Sequence, residues 1–457
     1  MQIKRNIQHK LNEWKISTLR KPLVLKGARQ VGKTWLLKDF GKNEFENFAY
    51  FNFEEQAELK QFFTTTKDVH RIVKNLSLVH GKAIEPLKTL IIFDEIQECN
   101  EALNSLKYFC ENAPEYYVVC AGSLLGITLS RGMSFPVGKV DFLNLYPLSF
   151  SEFLIVAEPE LFSYIESLKN IEPIPDIFFS KLVEQFKKFF ICGGMPEAVK
   201  VLLEKQDVAL TQIVLKNILE AYSLDFSKHT DNKTVQKIGY IWSSIPSQLA
   251  RENKKFLYQT VKPGARAREY EDAILWLSQA GLVYKIFRNS KPCLPLSAYD
   301  DVTAFKLYLI DVGLLRRLSL LDPVAIIEGN RLFVEFKGAL SENYILQSLV
   351  QQFEAIPRYW TSEGKAEIDF LIQYENEIIP VEVKSYENVT GKSLVFYNKQ
   401  YHSPVRIRYS LKNLVFDEGL LNIPLFLSDY SKKLISMVYQ QDGKRQLASL
   451  NTKNLKL

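Results

Sequence analysis

Four residues in one short stretch could grip a polyanion: Gly27, Gly32, Lys33 and Thr34, spaced G-x-x-x-x-G-K-T within LVLKGARQVGKTWLLKDF. A triphosphate carries several negative charges that donors close to the chain must meet. Glycines at 27 and 32 let the backbone turn tightly and aim successive N–H groups at phosphate oxygens. Lys33 supplies a point charge for the outer phosphates, the Thr34 hydroxyl can ligate magnesium, and the helix that follows adds its positive N-terminal end. Ala28, Arg29, Gln30 and Val31 complete the cradle. A residue larger than glycine is not expected to fit at position 32.

Two carboxylates form the second pattern. In TLIIFDEIQ (89–97), four apolar residues run into Asp94 and Glu95, the Walker B spelling of a buried parallel strand that delivers acids at its C-terminal edge. Downstream of a phosphate loop, Asp94 is expected in the magnesium shell and Glu95 beside the attacking water, orienting or deprotonating it.

A third constellation lies near the C-terminus. In AEIDFLIQ (366–373), Ile368, Phe370 and Ile372 share one strand face and leave Asp369 on the other. In IIPVEVKS (378–385), Glu382 and Lys384 alternate with apolar residues, about 6.6 Å apart on one side. Upstream, Glu342 ends the apolar stripe of a helix carrying Ile345, Leu346, Leu349, Val350 and Phe353. Two carboxylates holding magnesium beside a lysine that positions water can cut a phosphodiester. An ordinary outer strand face with an ion pair has the same spelling.

The elements that must position these residues follow from hydrophobic periodicity. The segment 1–21 is expected as a leading helix, with Leu11, Trp14 and Ile16 on its apolar side, near the base of a bound nucleotide. Residues 23–25 form a buried strand before the loop and 35–40 a helix closed by Gly41. Strands are expected at 48–53, 89–97 and 116–121, with a polar helical stretch to Gly81. Residues 147–224 are helical and sheet-poor, as a lid would be. From 231 to 284 come a helix (TVQKIGYIWSSI), a short second helix (SQLARENKKF), a third ended by Gly281, and a hairpin-like VYKIF. Three helices and a wing suggest a winged helix. Arg251, Lys254, Lys255, Lys262, Arg266 and Arg268 gather there; they suit DNA phosphates and equally the solvated rim of an internal packing module.

The chain of 457 residues is long enough for about three domains. Its net charge of +6, from 58 basic and 52 acidic residues, is too slight a bias to indicate nucleic acid by itself. No apolar run nears the ~18 residues that span a bilayer, and the polar start MQIKRNIQHK lacks a signal-peptide core. A cytoplasmic protein without a membrane partner is expected. Cys99, Cys110, Cys120, Cys192 and Cys293 show neither C-x-x-C pairs nor a metal spacing, which fits buried, reduced thiols.

The stretches KGARQVGKT, LIIFDEIQEC, AGSLLG, SFPVGKVDFLNLYPLSFSEFL, ICGGMPEAV, GARAREYEDAILWLSQAGLVYK, AFKLYLIDVGLL, FKGALSENYILQSL and AEIDFLI with IPVEVKS together resemble a large prokaryotic family of ATPases. In that family an AAA+-like P-loop domain precedes a winged helix and a C-terminal domain of unknown function. The resemblance implies an α/β chain: a P-loop NTPase core over 1–146, a helical lid over 147–228, a winged helix over 229–300, and a restriction-endonuclease-like domain of PD-(D/E)XK type over 301–457. It implies ATP and Mg²⁺ at residues 27–34, with Asp94 and Glu95 in their usual roles, and nuclease-type positions at Glu342, Asp369, Glu382 and Lys384. Asp369 and Glu382 are then a second pair of metal ligands. The proline that commonly precedes the first aspartate is replaced by Ile368. Ser123, after the strand ending at 121, stands where AAA+ ATPases sense the γ-phosphate, though Asn or Thr is commoner there. Arg131 is either an arginine finger reaching a neighbouring subunit, which would require a homo-oligomer, or a solvated loop residue. DNA is the partner implied for the winged helix and the C-terminal domain. The rival is a nucleotide-switched signalling or scaffold ATPase whose nuclease-like domain is inactive and binds a protein; a transporter-like motor fits least.

Overall fold

Strand β1 (Leu23–Lys26) sits inside a parallel sheet that carries the phosphate loop. The computed structural model describes residues 1–122, 135–228, 232–251, 254–328, 334–362, 364, 366–385 and 391–440. With β2 (Asn47–Asn52), β3 (Thr89–Asp94), β4 (Tyr117–Ala121) and β5 (Asp141–Asn144), β1 forms five strands ordered β2-β3-β4-β1-β5, all parallel. Strands of a covered parallel sheet are apolar on both faces, and successive residues feed two different cores. Leu23, Leu25, Leu90, Ile92, Val119 and Ala121 join one; Val24, Ile91, Phe93, Val118 and Cys120 join the other. β5 escaped the sequence reading, because its DFLN has no buried run: it is an edge strand of partly exposed residues.

Helix α1 (Gln8–Ile16) is shorter than the 1–21 expected and buries Leu11 and Trp14 but leaves Ile16 exposed, while helix α2 (Lys33–Glu44) starts where the sequence places it. α2 runs past Gly41, which is buried inside it and does not cap it. A side chain at 41 would come within 2.7 Å of the Phe48 Cβ, so the glycine serves close packing of α2 on β2. Helices α3 (Val69–His80) and α4 (Asn100–Asn112) cover the second core, α3 ending at Gly81 in the left-handed conformation.

Helices follow, among them α5 (Phe150–Ala157), opened by a Ser149–Glu152 capping box, α6 (Asp176–Cys192), α7 (Pro196–Lys205) and α8 (Val208–Lys228). Next come α9 (Asn232–Leu249), a single turn (Tyr258–Val261), α10 (Ala267–Gln279) and the antiparallel hairpin of β6 (Val283–Asn289) with β7 (Asp300–Leu309). The short helix expected over SQLARENKKF is not separate, since α9 continues through Pro246 to Leu249. Proline removes one N–H from the ladder and reads as a break, yet Ala250 N–H still bonds the Pro246 carbonyl at 2.9 Å. The boundary expected between 300 and 301 falls at the start of β7, inside this hairpin.

The hairpin heads a second sheet of eight strands, ordered β12-β13-β11-β10-β9-β8-β6-β7. Its other members are β8 (Arg358–Thr361), β9 (Glu367–Tyr374), β10 (Glu377–Val383), β11 (Arg406–Ser410), β12 (Val415–Asp417) and β13 (Leu420–Pro424). Helix α11 (Val312–Leu318) packs on α6 and α8, helix α12 (Val334–Gln352) packs on α11, β7 and β10, and one continuous core runs from β1 through the helices to β13. Among the described residues no helix is long and apolar enough to cross a membrane. Cys99, Cys120 and Cys192 are buried, Cys110 and Cys293 half-buried, and all five are free.

One buried joint ties these parts together. The Asp311 carboxylate caps α11 through Leu314 N–H at 2.9 Å and accepts Gly194 N–H at 2.6 Å; the Gly194 carbonyl accepts Leu148 N–H at 2.7 Å. Gln347 on α12 accepts Val312 N–H at 3.0 Å, and Asn343 brackets the Leu309 backbone with bonds of 2.8 and 3.0 Å. A methyl group at Gly194 would stand 2.1 Å from the Leu148 carbonyl oxygen, whereas one at Gly239 in α9 meets nothing within 4 Å. Gly194→Ala is therefore expected to lower stability by about 2–3 kcal/mol through forced displacement, and Gly239→Ala to leave it unchanged or raised by up to ~1 kcal/mol. Equal urea midpoints for the two variants would refute the close packing of this joint.

Candidate functional site

The phosphate loop turns where β1 meets α2, and its two glycines are required for different reasons. A Cβ at Gly27 would meet the Leu145 carbonyl oxygen at 2.3 Å, so position 27 lacks space. Gly32 lies at φ +94° with its nearest neighbours at 3.7 Å. Its requirement is the left-handed backbone, not the lack of room that the sequence suggested. Lys33 is buried at the first turn of α2, its ammonium bonded to the carbonyls of Gly27 at 2.9 Å and Ala28 at 2.8 Å. Burial lowers its pKa to about 8, against the opposing charges of Glu95 and Asp94.

Asp94 closes the site from β3. Its carboxylate accepts the Thr34 hydroxyl at 2.7 Å and the Tyr50 hydroxyl at 2.9 Å. Burial and then the Asp94 charge raise the Tyr50 phenol well above its ordinary value. Glu95 follows at φ +47°, an uncommon conformation for a side chain of its size, and Gln97 Nε2 donates to its carboxylate at 2.5 Å. That strained backbone turns Glu95 off the buried strand line to a half-buried position beside Lys33.

Side chains from elsewhere hold the loop. Arg5 donates to the carbonyls of Val31 at 2.9 Å and Tyr146 at 2.7 Å, and faces Glu152 at 3.2 Å. Arg29, expected as part of the cradle, spends its guanidinium on an ion pair with Asp225 of α8, while the Tyr222 hydroxyl bonds the Arg29 carbonyl at 2.8 Å. A cavity of about 280 Å³ abuts Gly32 and is walled by Ile3, Trp35, Leu148 and Pro196. On the other side, one of about 340 Å³ lies between Gly27, Ala28 and Gly122 and the segment Ser278 to Gly281, with Tyr284 and Ile310. Ser123 and Arg131 lie outside the described residues.

The C-terminal residues converge as expected, with partners that were not. Lys384 Nζ meets Glu382 at 2.8 Å, and Val383 N–H bonds Asp369 at 2.7 Å. Glu342 is buried on α12, where it accepts the Tyr308 hydroxyl at 3.1 Å and pairs with Lys254. Lys306, fully buried on β7, pairs with Glu367 at 2.5 Å. Burial and then the Glu342 charge push Asp369 up to about 7. Burial would raise Glu342 too, but Lys254 and Lys306 outweigh it and hold it low. One oxygen of Glu382, Oε2, is enclosed without a hydrogen-bond partner. Among the described residues no group of three or more His, Cys, Asp or Glu side chains is placed to hold a metal ion.

Sequence reasoning missed Arg5, Tyr50, Asp225, Lys306 and Tyr308. Lys306 and Tyr308 could have been found: in AFKLYLID a lysine and a tyrosine alternate with apolar residues on a strand, as polar groups facing a buried site would. The others carry no local signal, because they act from distant segments. Lys254, placed with a surface basic cluster, points inward to Glu342, while Arg251, Lys262, Arg266 and Arg268 are exposed.

Residues 19–154 match the AAA domain family. Residues 183–325 and 337–427 match two domains of unknown function, DUF8612 and DUF4143. No curated protein matches the chain. Among solved structures it is similar to the Walker-type ATPase of Pyrococcus abyssi, with 14% identity, 69% of this chain and 96% of that one covered, and a TM-score of 0.43. It is also similar to the RuvB Holliday junction branch migration motor of Thermotoga maritima, with 16% identity, coverage of 62% and 89%, and a TM-score of 0.29. At such scores the likeness is general and carries no functional argument. The AAA domain match over residues 19–154, joined to a phosphate loop between a buried parallel strand and a helix, supports a P-loop ATPase domain in that part of the chain.

The Lys254–Glu342 pair gives a direct test of the C-terminal geometry. Lys254→Met strands a buried carboxylate and is expected to cost about 3 kcal/mol, read as a lower urea midpoint. Lys254→Met with Glu342→Gln should recover most of it. A single variant as stable as wild type would mean that Lys254 faces solvent.

Proposed function

We propose that the chain binds ATP with magnesium at residues 27–34, hydrolyses it, and uses the nucleotide state to control a DNA-binding C-terminal domain. The observation that carries the reading is the bond from Thr34 to Asp94 beneath a buried Lys33. It sets a hydroxyl and a carboxylate oxygen side by side at the mouth of the loop, a donor pair that suits a hard cation. Thr34 and Asp94 would hold magnesium, which when bound offsets charge on the outer phosphates. Lys33 turns from the Gly27 and Ala28 carbonyls to the phosphates, a cation exchanging dipoles for full charges. Glu95, steadied by Gln97, orients water and takes its proton. The base occupies the apolar cavity beside Gly32, against Ile3 and Trp35.

In this reading residues 147–228 act as a lid, tied to the loop through Arg29–Asp225 and Tyr222. The unit of α9, the short turn, α10 and the β6–β7 hairpin serves as a winged helix, and the eight-stranded region as a PD-(D/E)XK-like domain with Glu342, Asp369, Glu382 and Lys384 as its site. The exposed Arg251, Lys262, Arg266 and Arg268 would meet DNA phosphates.

A second reading has its own observation. Glu342, Glu367 and Glu382 each already face a lysine, and such pairing leaves fewer carboxylate oxygens for magnesium. A nuclease-like domain charged in this way would bind a protein partner without cutting DNA.

Lys33→Ala is expected to abolish ATP binding, and Glu95→Gln to retain binding while turnover falls by about two orders of magnitude; unchanged turnover in the latter would reject the water-positioning role. For the tail, full-length protein with magnesium or manganese is expected to nick DNA and to lose this in Asp369→Ala. Absence of nicking together with DNA affinity indifferent to salt would favour the protein-binding reading, since phosphate contacts weaken steeply with salt.

A further inference from the structure

The cavity of about 340 Å³ beside Gly27 has walls from distant parts of the chain. One is the start of the phosphate loop with Lys26 and Gly122; the other is the corner where α10 ends and β6 begins, Ser278 to Gly281. Gly281 makes that corner tight. At φ +71° it leaves the helix in the left-handed conformation, its own N–H on the Ser278 carbonyl and the Leu282 N–H on the Leu277 carbonyl, both at 3.0 Å, as glycine commonly closes a helix. A Cβ at Gly281 would stand 3.7 Å from the Ala28 nitrogen, so the corner rests against the loop.

Lys33 indicates which phosphate would face this cavity. Its ammonium rests on the carbonyls of Gly27 and Ala28, so the outer phosphates that it meets lie at that end of the loop, away from the cavity beside Gly32. The end of α10 repels such a group, because its aligned peptide dipoles leave partial negative charge there. The opposite wall attracts it. Lys26, half-buried with its ammonium 4.5 Å from the centre of the Phe142 ring, is the one charged side chain among the described lining residues.

We propose that the corner between α10 and β6 reads the terminal phosphate, and that Gln279, half-buried in its wall, is the residue at which ATP and ADP are told apart. The inference rests on nucleotide binding at residues 27–34. A third phosphate presses the helix end away from Ala28, whereas a diphosphate leaves the corner seated against the loop. The corner is also tied to the rest of the chain. The Leu282 carbonyl accepts the Ile310 N–H at 3.0 Å, and Ile310 walls the same cavity just beyond β7, the strand that carries Lys306 and Tyr308 to the C-terminal acids.

Titration calorimetry of the full chain with magnesium compares ADP with the non-hydrolysable β,γ-imido analogue of ATP. Gln279→Glu is expected to weaken the analogue about tenfold and ADP by less than about twofold, while Gln279→Lys tightens the analogue relative to ADP by a similar factor, as a charge beside a phosphate should. An affinity ratio that neither variant moves, or that moves in the opposite sense, overturns the proposal. A wild-type chain that binds neither compound fails the phosphate-loop reading and the corner with it. Intact wild-type binding with an unmoved ratio fails the corner alone.

Discussion

A single buried carboxylate holds the architecture together. Asp311 sits in a socket made by Gly193, Gly194 and Gly313, where any side chain would collide with it or with neighbouring backbone. Burial raises its pKa, opposed by the N–H groups of Gly194 and Leu314. An acid enclosed this way is tolerable only because so many donors converge on it. Those donors come from the end of α6 and the start of α11, and Gln347 on α12 adds a contact at 3.4 Å. The glycines of ICGGMPEAV and the acid of LIDVGLL are thus two halves of one contact.

The same economy governs α12. Its Glu342, Asn343 and Gln347 are buried polar residues that look misplaced on a helix facing a core. Each answers a group on a neighbouring segment: Glu342 the Tyr308 hydroxyl and Lys254, Asn343 the Leu309 backbone, Gln347 the Val312 N–H. Such pairs fix one docking of helix on strand, since a shift in register would leave several of them unmatched.

Much of the first sheet and its loop was legible in the sequence, because strand, turn and helix there are contiguous and their signals local. β3 delivers Asp94 as its apolar run announced, and α3 stops at Gly81. Edge strand β5, whose residues are half exposed, left no apolar run to read. Gly41 looked like a cap and is a packing residue, and the separate short helix expected over SQLARENKKF does not form because α9 runs through Pro246 to Leu249. The grouping of Asp369, Glu382, Lys384 and Glu342 could be foreseen from alternation and helical spacing. Lys254, which answers Glu342, could not, since it arrives from a segment far away in the chain and only tertiary packing brings it in.

Strand β7 belongs to both ends of the molecule. Lys306 and Tyr308 point at the C-terminal acids, and Ile310, two residues on, walls the cavity beside Gly27. Its hairpin partner β6 joins the larger sheet through the Arg288–Tyr359 pairing. The C-terminal region therefore lacks a clean seam: severed after β7 it would lose the lysine and phenol that face its interior acids, and severed ahead of β7 it would lose β6, which joins β7 to β8. Inheritance or engineering that shuffles this region would have to carry residues 283–309 with it.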